Sequence, residues 1–152
     1  MFENDKQSGF RVFKLGQSAF KNWQRIRQDS PNDDIAKQLD LLVDHVDPEA
    51  SKDDLLFELL LKAGFELTLE IVENKVAEKS VFTIEDGALL ICLEDEITQE
   101  LLDEVVKLEP IQFICLDKAF QGNDQLKANA VQTFSAHNHG RDKADQIIFR
   151  TV

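Results

Sequence analysis

ALLICL at positions 88–93 and IQFICL at 111–116, separated by a helix-period stretch from Thr98 to Leu108, decide the fold. Each short run is apolar almost throughout, the signature of a strand covered on both faces. Between them Leu101, Leu102, Val105, Val106 and Leu108 share one helical face, Thr98 is a ready N-cap, and Pro110 stops the helix. Strand, helix and strand make a βαβ unit with parallel strands, right-handed by default. Upstream, Asp86-Gly87 is a turn signal, preceded by one or two strands within 67–84. Downstream, Asn123 or Asp124 opens a helix running to about Ala136, and QIIFRTV (146–152) supplies a last strand. The expected fold class is α/β, a mixed sheet of about five strands with helices packed on it.

Towards the N-terminus the signals are helical. Ser51 is an N-cap with Asp53 and Asp54 favourably placed against the helix dipole, and Gly64 is a C-terminal stop. In LLFELLLKA (55–63), Leu55, Leu56, Leu59, Leu60 and Ala63 form one face, while Phe57 and Leu61 lie round the back. A helix apolar on most sides is covered on most sides, by its own domain or by a second chain. Ile35, Leu39, Leu42 and Val46 form a stripe ended by Asp47-Pro48, so 34–63 is expected to be a helical hairpin. FRVFKL (10–15) is expected to be a half-buried strand, and 16–34 an irregular linker anchored by Phe20 and Trp23. The expected division is an N-terminal strand and linker over 1–33 and a single α/β domain over 34–152.

Charge is distributed unevenly along the 152 residues. Lys and Arg number 17 against 29 Asp and Glu, a net of −12, which makes the chain a poor general binder of nucleic acid or anionic membrane. Residues 41–110 hold five basic and nineteen acidic side chains, a net of −14, between two arms of net +1 each. The acidic block is either a solvated face or a surface for a basic partner. The start, MFENDKQSGF, has neither the basic residues nor the apolar run of a secretory signal, and no stretch is long and apolar enough to span a membrane. A cytoplasmic location is therefore expected.

Catalytic signatures are sparse. The six glycines, at 9, 16, 64, 87, 122 and 140, never form a GxG pair from which a phosphate cradle is built. Gly16-Gln17-Ser18-Ala19 begins like a nucleophile elbow but lacks its closing glycine. His137-Asn138-His139 offers two imidazoles without further ligands at metal spacing. Glu73-Asn74-Lys75 is an ExK triplet of the kind nucleases use, in a chain rich enough in charge to produce it by chance. Glu94, Asp95 and Glu96 stand at a strand's C-terminal end, where α/β ligands bind, and equally suit a solvated loop. Cys92 and Cys115 lie inside strands, as buried apolar thiols do.

GFRVFKL (9–15), LLFELLLKAGFELT (55–68), DGALLICL (86–93) and LDKAFQGNDQLKANAVQTF (116–134), with FRTV at 149–152, together form a pattern. It resembles the C-terminal region of the methylation subunit of type III restriction-modification systems, the segment Phe120–Lys127 being its most specific part. The resemblance implies a DNA adenine-N6 methyltransferase using S-adenosylmethionine, whose subunit reads DNA, dimerises and recruits a separate restriction subunit. That family's methyl-transfer motif is an acidic residue or Asn followed by Pro-Pro-Tyr. This chain has no tyrosine, and Asp47-Pro48-Glu49-Ala50 is its nearest approach. The family's FxGxG cofactor loop is also missing, since Phe120-Gln121-Gly122-Asn123-Asp124 lacks the last glycine.

The expectation is a non-catalytic assembly domain, inactive alone and binding no cofactor itself, S-adenosylmethionine belonging to the parent subunit by resemblance. Its partners would be the rest of the methylation subunit, a second methylation subunit and the restriction subunit, with DNA bound weakly if at all and no membrane. Candidate interface residues are Phe57, Leu61, Phe120, Asn123, Asp124 and Lys127. The alternative is a DNA-contacting accessory module of the same methyltransferase, placing Lys14, Lys21, Arg25 and Arg27 on phosphates.

Overall fold

A computed structural model describes residues 11–21 and 46–152. In chain order the elements are α1 (Lys52–Ala63), β1 (Ile71–Val76), β2 (Lys79–Ile84), β3 (Leu89–Cys92), α2 (Gln99–Leu108), β4 (Gln112–Cys115), α3 (Asp124–Asn138) and β5 (Ile148–Thr151). The five strands form one mixed sheet in the order β1-β2-β3-β4-β5. The first two pairings are antiparallel and the last two parallel, so the α/β class and the βαβ unit are both present.

The register explains the layers. Leu90 pairs with Phe113 and Cys92 with Cys115, while Phe113 also pairs with Phe149, which places these five on one face of the sheet. Phe134 of α3 stacks on that face against Phe149 and Phe113, with ring centroids at 4.7 and 5.9 Å. Helix α2 packs beside α3 and buries Leu101, Leu102 and Val105 completely, each burial contributing about 1.5–3 kcal/mol. Leu89, Ile91 and Ile114 point the other way and are equally buried. The next residues in that alternation, Leu93 and Leu116, share a depression with Leu55 of α1. Helix α1 therefore covers the second face, and the apolar runs are apolar because helices flank both sides.

The helix ends follow the sequence signals. Ser51, Thr98 and Asn123 each accept a hydrogen bond from a backbone N–H of the first turn, and Gly64 adopts the left-handed conformation at φ +87°. The 67–84 region proves to be two strands joined at Ala77-Glu78, both residues having positive φ. Asp86-Gly87 does form the turn between β2 and β3.

Two expectations are corrected. Arg11–Leu15 belongs to no strand and is exposed, with Val12 at 71% and Leu15 at 106%. Val12 and Phe13 are adjacent apolar residues that break the period of two, so no single face of the segment can be buried. Val46 is not the end of a helix but makes an antiparallel bridge with Phe20, supported by Asp47 N–H donating to the Ala19 carbonyl at 2.8 Å. The rest of the first hairpin arm, Phe10, Trp23 and the 33/34 division lie outside the described residues. Among the described residues no helix is long and apolar enough to cross a membrane.

Candidate interaction surface

Helix α1 buries Leu55, Leu56, Leu59 and Leu60 on the sheet and turns Phe57, Glu58, Leu61 and Lys62 outward. Residues 11–21 lie along this outer side. Arg11 donates to the Leu67 and Leu69 carbonyls at 3.4 and 3.2 Å. Phe13 sets its ring edge-on to Phe57, with centroids 5.0 Å apart. Glu58 then clamps the chain: its carboxylate accepts from Ser18 Oγ at 2.7 Å, from Ala19 N–H at 2.6 Å and from Lys62 Nζ at 2.8 Å. Burial pushes this carboxyl up, but the hydrogen bonds from Lys62, Ser18 and Ala19 outweigh it and hold the group below its ordinary range. Lys62 Nζ also sits 3.7 Å from the centroid of the Phe20 ring.

This arrangement covers Phe57 and leaves Leu61 58% exposed near a segment that presents Val12 and Leu15 to solvent. Val12, Leu15 and Leu61 are thus exposed apolar side chains on two segments that touch through Phe13 and Phe57, an apolar strip with the composition of a docking surface rather than of a reaction centre. Glu58 was not singled out from the sequence. Its i,i+4 spacing to Lys62 is legible there, whereas its bonds to Ser18 and Ala19 span about forty residues.

The segment 116–127 is a structural junction. Phe120 is only 3% exposed, which corrects its assignment to an interface. After β4 the chain winds through a short 3-10 turn that drives Ala119 and Phe120 into the core. Asp117 N–H donates to the Val152 carbonyl at 2.7 Å and Ile97 N–H to the Ala119 carbonyl at 2.9 Å. Asn123 is occupied capping α3, its Oδ1 accepting from Leu126 N–H at 3.0 Å, and Lys127 pairs with Asp117. Asp124 stands exposed in the first turn of α3. Asn123→Ala is expected to cost about 1 kcal/mol, lowering the melting temperature by roughly 3–5 °C in a thermal scan; an unchanged melt with weakened partner binding would reverse this structural assignment.

The remaining candidates are dispersed. Lys14 is exposed and Lys21 half-buried, while Arg25 and Arg27 lie outside the described residues. Beyond β3, Glu96 pairs with Lys79 at 2.9 Å and Asp95 with Lys118 at 3.2 Å. The Lys79 hydrogen bond lowers the Glu96 carboxyl, and the same bond raises the Lys79 amine. Because β3, β4 and β5 are successive neighbours, both crossovers run the same way and α2 and α3 share one face. No reversal of strand order opens a ligand crevice between them. Cys92 and Cys115 are fully buried, and burial pushes both thiols up, away from nucleophilic use. His137 lies 3.5 Å from Glu109, which is held by Arg141 at 2.7 Å, and His139 is exposed. Between them Asn138 exchanges two hydrogen bonds with the backbone of Ile147 and sets the entry to β5. The two imidazoles of the HNH triplet are thus not brought to a shared centre, and among the described residues no group of three His, Cys, Asp or Glu is placed to hold a metal.

No protein-family model matches this sequence, and no curated protein matches it either.

Proposed function

We propose that the chain is a non-catalytic assembly domain, acting as the C-terminal part of the methylation subunit of a type III restriction-modification DNA methyltransferase in the cytoplasm. The observation that carries the reading is the apolar strip of Val12, Leu15 and Leu61, held in place by the Phe13–Phe57 contact and the Glu58 clamp. Side chains of this kind gain free energy when a partner removes them from water, about 25 cal/mol for each Å² covered. The sequence pattern that resembles the methylation subunit includes both sides of this surface, GFRVFKL and LLFELLLKAGFELT. S-adenosylmethionine and the reacting adenine would be handled by the rest of the methylation subunit.

The test is sedimentation of the chain alone, with the restriction subunit, and with the rest of the methylation subunit of the same system. Co-migration with at least one of them, lost in Val12→Asp/Leu61→Asp, is the expected result. Failure to co-migrate with either would end the assembly reading. Duplex DNA forms the control arm. The −14 of residues 41–110 opposes it, and Lys14 and Lys21 offer few phosphate contacts. No micromolar mobility shift is expected at physiological salt, and a clear one would favour the DNA-contacting alternative.

A further inference from the structure

Strand β1 lies at the edge of the sheet and pairs only with β2. Among the described residues nothing bonds to its other side, and Val72, Glu73, Asn74 and Lys75 are all exposed. Exposed edges invite pairing with a further strand, and a charged edge usually discourages it. Here the charges follow a different rule. The sequence Val72-Glu73-Asn74-Lys75-Val76 is self-complementary when read antiparallel about Asn74.

We infer that a second copy of this chain docks antiparallel along β1, across a two-fold axis at Asn74, joining the two sheets into one. The backbone and the charges select the same register. The two-residue turn at Ala77-Glu78 makes its flanking residues, Val76 and Lys79, a hydrogen-bonded pair. By alternation Asn74 and Val72 also bond inward to β2, so the free N–H and C=O groups of Ile71, Glu73 and Lys75 point outward. A symmetric antiparallel partner can match these groups in three ways near the strand centre. Centring on Glu73 sets Glu73 against its own copy, and centring on Lys75 does the same for lysine. Centring on Asn74 sets Glu73 opposite Lys75 of the second copy, twice over, and Val72 opposite Val76 on the other face.

The side chains are available for this pairing. Glu73 accepts from Ser80 Oγ on β2, and neither Glu73 nor Lys75 has an ion-pair partner among the described residues. Asn74 is steadied by donating its Nδ2 hydrogen to Thr83 Oγ1 at 3.1 Å. A two-fold interface is self-complementary by necessity, and this pentapeptide meets that requirement without distortion. The inference rests on the assembly reading only for its purpose, because its geometry belongs to β1 and not to the apolar strip.

Analytical ultracentrifugation of the full chain across the micromolar range tests it. The native chain is expected to form a two-chain particle. Glu73→Lys and Lys75→Glu each place like charges opposite one another twice and should weaken association about tenfold or more. The double exchange Glu73→Lys/Lys75→Glu restores opposite signs and should restore the dimer. Circular dichroism melts of the four proteins establish that each is folded. A native chain that remains single throughout, single variants that stay dimeric, or a double exchange that fails to re-associate would each overturn the inference. A dimer lost in Val12→Asp/Leu61→Asp but retained in Glu73→Lys would assign self-association to the apolar strip instead, ending the β1 proposal and leaving the assembly reading standing.

Discussion

Phe113→Ala is expected to remove about 3–5 kcal/mol of stability, the range for deleting a fully buried aromatic ring. Phe113 is 0% exposed in the middle of the sheet, stacked with Phe134 of α3 and Phe149 of β5 at 5.9 Å each. Its loss leaves a cavity where β4, β5 and α3 meet, too central for the neighbours to collapse into. Total stability for a domain of this size is about 5–15 kcal/mol, so the variant is left marginal. Urea unfolding should show a much lower midpoint with an unchanged slope. Phe113→Leu keeps most of the volume and should cost about 1.5 kcal/mol. Equal losses for the two variants would mean that the ring stack does not organise the core.

The second large effect concerns the clamp on α1. Glu58→Ala deletes the acceptor for Ala19 N–H, a residue only 2% exposed, together with those for Ser18 and Lys62. Hydrogen bonds to a charged group are worth about 1.5–3 kcal/mol, and water access around Ser18 and Lys62 brings this case to about 1–2 kcal/mol. The expected result is local: residues 11–21 detach, Ala19 loses amide-exchange protection, and trypsin cuts at Lys14 and Lys21, while the sheet stays protected. The pH dependence has a definite sign. Because Glu58 titrates lower folded than unfolded, its contribution is complete above the unfolded glutamate value of about 4.3 and is lost as the pH falls through the folded value. The protection factor at Ala19, the observed exchange rate referred to the intrinsic rate at each pH, should therefore fall on acidification in the native chain and show no such step in Glu58→Ala. Protection unaffected by the substitution would show that the segment is held by its other contacts, those of Arg11 and Phe13 and the Phe20–Val46 bridge.

What was legible in the sequence was local. The caps at Ser51, Thr98 and Asn123 and the stop at Gly64 involve residues within a few positions of one another, and all four form as their chemistry requires. ALLICL and IQFICL declared a sheet covered on both faces, because a half-exposed strand does not carry apolar residues on both of its alternating sides. The Ala77-Glu78 turn gave no sign, having neither Gly nor Asn where positive φ is needed; pairing along β1 and β2 imposes it. FRVFKL carries a strand-like alternation that fails at the adjacent Val12 and Phe13, leaving too short a run to bury one face.

The candidate surface was less legible than the fold. Phe57 and Leu61 stood out because their helix was apolar all round, and they do face outward. Glu58 did not, since two of its three partners lie about forty residues away and one is a backbone N–H. Phe120 belongs to the segment most specific to the family resemblance, and no local sequence signal marks it as buried. The 3-10 turn after β4 instead folds it back into the core.

The most direct measurement of the assembly reading is a calorimetric titration of the restriction subunit, and separately of the rest of the methylation subunit, into this chain, repeated with Val12→Asp/Leu61→Asp. Saturable binding of at least one of the two is expected, with a negative heat-capacity change, the mark of apolar surface leaving water, and a loss of at least about tenfold in the variant. Binding of equal strength by the native chain and the variant, or no binding of either subunit, would contradict the assembly reading.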